Sequence, residues 1–389
     1  MKKLLHNQYF SLVLFTLVEI LLVVISVGLG ILLRPWLQID NDYPILREAQ
    51  QLLMVNGLKN PPQIPQLEYG MVRGMLQSYN DPYTIFVEPP QHELETDQLN
   101  GKYGGIGVQI EKDKNGRFLV FPYKDSPASK AGILEASELV SIDQLTINPE
   151  TKMEQIQAAF RGPVPQEVSV SVKLPPDYQK TSNFKIAREE IPIPSVTSRL
   201  YPEDNTIGII QINLIADTTA EEIDRAIQTL KPRGANKYIL DLRNNGGGLV
   251  DGGLKIAALF TKQDPEIIET FRDQAPESRK TKKTDKYPEL PLVVLVNHNT
   301  ASASEIAAGI LQAQKRAVLV GVPTYGKNTL QLVFDLKDGS SIHITSARWQ
   351  IPSWPLPKEG EGLAPDIVLD EEQTNTPQIF EKALQGFKN

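Results

Sequence analysis

The sequence predicts an α/β chain of more than one domain, and three observations carry that reading. Apolar strand-like runs alternate with an amphipathic helical run between residues 207 and 320, the β-α-β order of a sheet with helices packed on it. Residues 102–175 instead hold short strands separated by turns, a compact unit of different pattern. The length of 389 residues exceeds one typical domain.

Taken in order, residues 10–33 are apolar except for Ser11, Thr16, Glu19 and Ser26, long enough to cross a bilayer. Lys2 and Lys3 precede the span. The expectation is therefore a cytoplasmic amino terminus over 1–9, a retained single-pass anchor over 10–33, and the rest of the chain outside the cytoplasm, with a cleaved signal peptide as the alternative. Glu19 is a costly residue in lipid. Residues 41–75 read as short helices broken by Pro61-Pro62 and Pro65, followed by a turn at Asp81-Pro82-Tyr83-Thr84.

In the compact unit, strands are expected over 106–110, 118–121, 138–142 and 168–172, with helices over 126–132 and 153–160. Residues 175–198 read as a linker and an edge strand. Buried strands follow at 207–212, 237–241 and 292–296, with an amphipathic helix over 220–230. Residues 262–287 are polar and charged, a solvated loop or hairpin. Residues 330–336 and 341–347 form a hairpin across Asp338-Gly339, and 370–389 read as a polar helix or tail.

The net charge of −7 and the lack of a basic tract argue against nucleic acid as a partner. The absence of cysteine excludes thiol catalysis, disulfides and cysteine-ligated metal. His6, His92, His298 and His343 are the only histidines, and His92-Glu93 has no histidine at position 96 to complete a zinc helix. No metal and no cofactor are expected.

The chemistry concentrates between residues 299 and 331. A polar turn after the strand 292–296 leads to Ser302, where a helical pattern begins with Ile306, Ile310 and Leu311 on one face. A serine at that junction exposes its hydroxyl beside free helix N–H groups; as an ordinary N-cap it needs no further role. Lys327 sits in a Gly-Lys turn between two apolar runs. A neutral amine there can serve as the serine's base. Free lysine titrates near about 10.4, so this reading requires burial that pulls it down; the alternative is a surface lysine. Residues 321–327 also mimic a phosphate loop, but Asn328 replaces the required Ser or Thr and a strand follows.

Thr300-Ala-Ser-Ala-Ser-Glu-Ile306, the 25 residues from Ser302 to Lys327, and Asp241-Leu-Arg-Asn-Asn-Gly-Gly-Gly248 together resemble the carboxyl-terminal processing proteases, the tail-specific serine–lysine endopeptidases. The resemblance covers roughly residues 45–370. It implies Ser302 as nucleophile, Lys327 as general base, Gln331 as the residue orienting that lysine, and the N–H groups of Gly247 and Ala303 as oxyanion donors. Asp241 and Arg243 read as an ion pair supporting the loop. It also implies a helical cap over 35–98, an inserted PDZ domain over 99–176, a crotonase-like layered core over 177–370, and a tail over 371–389. Tyr103, Gly104, Gly105, Ile106 and Gly107 resemble the PDZ loop whose N–H groups hold a terminal carboxylate. Ile106, Val108 and Ile110 then favour an apolar last side chain. Asn328, Gly246 and residues 134–138 depart from the family pattern.

The expected function is a membrane-anchored, single-pass endopeptidase acting outside the cytoplasm on protein substrates with exposed carboxyl-terminal tails, with homo-oligomerisation left open. Two alternatives stay open: a non-catalytic PDZ-type binding module, and a serine–histidine hydrolase of small esters using His298 or His343.

Overall fold

A computed structural model describes residues 43–352, 360–374 and 376–387. The residues expected as cytoplasmic terminus and anchor, 1–9 and 10–33, lie outside them. Among the described residues no helix is long and apolar enough to cross a membrane. The longest, Ile64–Tyr79, has 16 residues, short of the roughly 20 that a bilayer requires. The single-pass anchor expected over 10–33, and the extracytoplasmic placement that rested on it, therefore have no membrane-spanning helix to support them among the described residues.

The chain divides into two compact units after Gly70. The first, described from residue 43, contains the helix Pro44–Asn56, which buries no residue. The helix Ile64–Tyr79 begins in it. Pro65 does not break that helix but sits in its first turn, where a missing N–H costs nothing.

The centre of the second unit is a six-stranded sheet in the order Val196–Tyr201, Asp204–Ile212, Lys237–Asp241, Leu292–Val296, Val318–Gly321, Ile367–Val368. The first pair is antiparallel and the others parallel. Alternation sorts the apolar runs onto two faces. Ile210, Leu240, Val294 and Leu319 pack under the helices Thr219–Leu230, Val250–Phe260 and Ala303–Ala313. Ile209, Ile239, Val293 and Val320 pack against Ile379 and Ala383 of the helix Gln378–Gly386. The segment read as a polar tail thus closes the second face of the sheet, its two fully buried residues four positions apart on one helix face.

A second, five-stranded antiparallel sheet is built around the long strand Ser341–Gln350. Ile85–Val87 and Glu266–Phe271 pair along one of its edges, Thr329–Asp335 along the other, and Glu277–Lys280 extends it beyond Glu266–Phe271. Leu330, Ala347 and Trp349 bury the sheet against Leu254, Ala257, Ile306 and Ile310. The expectation of a crotonase-like layered core is corrected here. The chain builds one mostly parallel sheet covered on both faces, beside a separate antiparallel sheet assembled from strands distant in sequence, with Ile85–Val87 and Glu266–Phe271 pairing on Ser341–Gln350.

Between cap and core, Val108–Lys112, Phe118–Pro122, Ser137–Ile142, Glu167–Lys173 and Thr181–Ala187 form the sheet of the inserted unit, with its own apolar core. The last strand carries this sheet past residue 176. Lys102–Gly105 pairs with Glu189–Pro192 as a two-stranded neck.

Candidate active site

The fully buried strand Leu292–Val296 ends at a tight polar turn that delivers Ser302 to the start of the helix Ala303–Ala313. Ser302 has φ 56° and ψ −121°, a conformation L-residues rarely adopt and one that recurs where a side chain must be presented. Gly247 packs against it. A Cβ there would lie 2.9 Å from the Ala301 carbonyl oxygen and 3.0 Å from Ser302 Cβ, and its φ is +107°, so only glycine fits. Of the two expected oxyanion donors, the Gly247 N–H donates to Asn245 Oδ1 at 2.9 Å. Ala303 supplies the first N–H of its helix, which has no intrahelical acceptor.

Lys327 lies in the loop that enters the strand Thr329–Asp335, with Gln331 on that strand. Its Nζ donates to Gln331 Oε1 at 2.7 Å, and Gln331 Nε2 donates to the Tyr83 carbonyl. The Tyr83 ring lies under the amine, 4.7 Å from its centroid. Burial pulls the Lys327 amine below the usual lysine range, opposed by the nearby Asp81 carboxylate. No hydrogen bond joins Ser302 Oγ to Lys327 Nζ among the described residues. A neutral amine that donates to Gln331 keeps its lone pair free to accept from a serine hydroxyl.

What joins the two segments is Glu305, 2% exposed. Its Oε2 accepts the backbone N–H groups of Ser302 at 2.8 Å and Lys327 at 2.9 Å. Its Oε1 accepts Thr324 Oγ1 at 2.5 Å and the Gly326 N–H at 2.7 Å. Burial pushes this carboxyl up, and the four donors oppose the push. The sequence carried a signal for it: Ser302-Ala-Ser-Glu305 has capping-box spacing.

An asparagine network, not anticipated from sequence, braces the loops. Asn245 Nδ2 donates to the Ile212 carbonyl and its own carbonyl accepts the Ala301 N–H. Asn297 exchanges hydrogen bonds with Asn244 at 2.9 Å each way, and Thr300 Oγ1 donates to the Leu242 carbonyl. The signal was there as asparagines at strand ends, where their side chains close local turns. Asp241 and Arg243 form a two-pronged ion pair at 2.8 and 2.6 Å beneath the loop.

The described histidines have other partners. His298 pairs with Glu371 at 3.0 Å, His343 faces Glu95, and among the described residues none hydrogen-bonds Ser302. The phosphate-loop mimic enters a strand, with no helix to hold an anion. Among the described residues there is no cluster of three or more histidine or acidic side chains that could hold a metal.

The expected carboxylate loop lies in the inserted unit. Tyr103, Gly104 and Gly105 belong to the neck strand. The carbonyls of Ile106 and Gly107 accept the N–H groups of Ala128 and Tyr123. Ile106 is 1% exposed, and Val108 and Ile110 pack towards the same core. The apolar surface expected from these three residues is therefore turned inward. Val108–Lys112 is nevertheless the first strand of its sheet and, among the described residues, pairs only with Phe118–Pro122, which leaves an edge for an added strand.

The chain is similar to several known proteins. The sequence profile of peptidase family S41 matches residues 206–369. The chain is 35% identical over 309 residues to the carboxy-terminal processing protease CtpA of Bacillus subtilis, covering 77% of this chain and 63% of that protein. It is 32% identical over 349 residues to a carboxyl-terminal-processing protease of Picosynechococcus sp., covering 88% and 83%. A similar protein of Synechocystis sp. is 30% identical over 362 residues, covering 91% and 83%. Among solved structures, a photosystem II D1 C-terminal processing protease aligns over 89% of this chain and 90% of its own, at 27% identity and a TM-score of 0.45. The profile spans the parallel strands of the six-stranded sheet, the loop bearing Lys327 and the hairpin it enters, so the core is assigned the fold of this family in place of the crotonase-like one. The chain belongs to the carboxyl-terminal-processing proteases of serine peptidase family S41.

Proposed function

We propose that the chain is an endopeptidase that binds the exposed carboxyl-terminal tail of a protein substrate and hydrolyses a peptide bond with Ser302 and Lys327. Lys327 removes the Ser302 proton as a neutral amine, Ser302 Oγ attacks the carbonyl, and the protonated lysine returns the proton to the leaving amine. Gln331 holds the amine by accepting its N–H. The developing oxyanion is taken by the N–H groups of Ala303 and Gly247, the latter exchanging its acceptor Asn245 for substrate.

The observation that carries this reading is the shared carboxylate. Glu305 binds the backbone of both Ser302 and Lys327, while the lysine amine is half-buried and bonded to Gln331. That arrangement supports a serine–lysine pair over a serine–histidine one. The inserted unit, extended to Ala187, is the tail-binding domain in this reading. A substrate pairs with the free edge of Val108–Lys112, its terminal carboxylate at the N–H groups of residues 103–107. Cleavage of one unstructured protein substrate by the unaltered enzyme, Ser302→Ala and Lys327→Ala tests the proposal. Loss in both variants with native folding is expected; turnover by either at the unaltered rate would refute it.

A further inference from the structure

We propose that the turn Asp81–Thr84, outside both catalytic segments, is a positioning element for the base: the Tyr83 carbonyl fixes the orientation of the Gln331 amide, and the Tyr83 ring shields the Lys327 amine from water. The inference deepens the reading of Lys327 as base and rests on it.

An amide has two unlike ends, and only one orientation of Gln331 presents Oε1 to the lysine. The Tyr83 carbonyl can only accept, so it selects the orientation with Nε2 towards the turn. The flipped amide would set oxygen against oxygen at Tyr83 and turn an N–H towards the Lys327 lone pair that must take the serine proton. The turn is itself held. The Tyr83 N–H and the Thr84 hydroxyl both donate to the Asp81 carboxylate. Thr84 Oγ1 accepts the Thr345 N–H at 3.1 Å, and Thr345 pairs with Gln331 across the hairpin. On its other side the Tyr83 hydroxyl meets the Tyr325 hydroxyl at 3.2 Å. The Tyr325 N–H donates to the Thr300 carbonyl at 3.0 Å, two residues before Ser302. One residue therefore touches the base, its orienter and, through Tyr325, the segment leading to the nucleophile. The titratable groups around the amine are Asp81 from the turn and His343 from the strand Ser341–Gln350, the imidazole held towards its neutral form by burial, with Glu305 beneath the lysine backbone.

The experiment is the pH dependence of kcat and KM on a fluorogenic peptide for the unaltered enzyme, Tyr83→Phe, Tyr83→Ala, Gln331→Glu and Lys327→Ala. Tyr83→Phe keeps ring and carbonyl and should keep the midpoint of the rising limb. Tyr83→Ala admits water to the amine. Its midpoint should move up by about one pH unit, with kcat lower by about tenfold near neutrality and recovering as pH rises, at little change in KM. Gln331→Glu removes the donor to Tyr83 and holds the lysine protonated, so its midpoint should also rise; this arm stands even if Tyr83→Ala does not fold. A purely structural turn would lower activity by one factor at every pH. That result, an unmoved midpoint or a downward shift overturns the positioning role. Lys327→Ala separates the two levels. If it is inactive while the Tyr83→Ala midpoint is unmoved, only the positioning role falls; if it is fully active, the base assignment and the positioning role fall together.

Discussion

Replacing Glu305 by glutamine removes one of the two carboxylate oxygens that hold the nucleophile and base segments together. The carboxylate accepts four hydrogen bonds, two at each oxygen. A glutamine retains one acceptor oxygen and turns an NH2 group towards two N–H or O–H donors. Two bonds to a charged group, at about 1.5–3 kcal/mol each, are lost, and the buried site leaves little water to replace them. Escaping the cost of burying a charge returns part of this, so about 3 kcal/mol is the expected net loss. If that loss falls on the relative placement of Ser302 and Lys327, acylation slows by roughly 10²-fold. Urea unfolding and single-turnover acylation, measured on the same preparations, divide the loss between stability and rate. An unaltered unfolding midpoint together with an unaltered acylation rate would refute the reasoning.

Lys327→Ala should lower turnover by about 10³-fold, whereas His298→Ala and His343→Ala should retain most activity; steady-state kinetics on one peptide decides this, and an indispensable His298 would revive the serine–histidine alternative. Because burial lowers the Lys327 pKa, the neutral fraction grows as pH rises through that lowered value, so kcat should climb with pH below the ordinary lysine range; a limb that rises only near 10.4 would contradict a buried base. Gln331→Ala should slow acylation without abolishing it, as read by burst kinetics. A peptide with a free terminal carboxylate should be cleaved more efficiently than its amidated twin, and equal kcat/KM for the two would remove the tail-recognition claim while leaving the serine chemistry intact.

The parallel core was legible because its strands are buried on both faces and read as continuous apolar runs, such as Leu292–Val296. Ser302 and Lys327 were legible through motif order, and the capping-box spacing pointed at Glu305 without revealing that it also reaches the lysine loop 22 residues on. That contact depends on two strands ending side by side, which no local pattern encodes. The helix Gln378–Gly386 was read as a polar helix or tail although Ile379, Phe380, Ala383 and Leu384 recur at helical spacing and pack on the sheet; the polar residues between them hid the stripe. Ile106 was misread as substrate-facing because alternation along a strand does not say which face is the core. The turn at Tyr83 was recognised but not its target, since its bond to Gln331 spans 248 positions.

The central claim is that Ser302 becomes acylated with Lys327 as its base. Mass spectrometry of the enzyme quenched during turnover of an activated peptide ester, followed by digestion and mapping of the adduct, tests it directly. The account predicts an acyl group on the fragment carrying Ser302, forming faster as pH rises and strongly diminished in Lys327→Ala. An adduct on another residue, or undiminished acylation of Ser302 in the lysine variant, would contradict it.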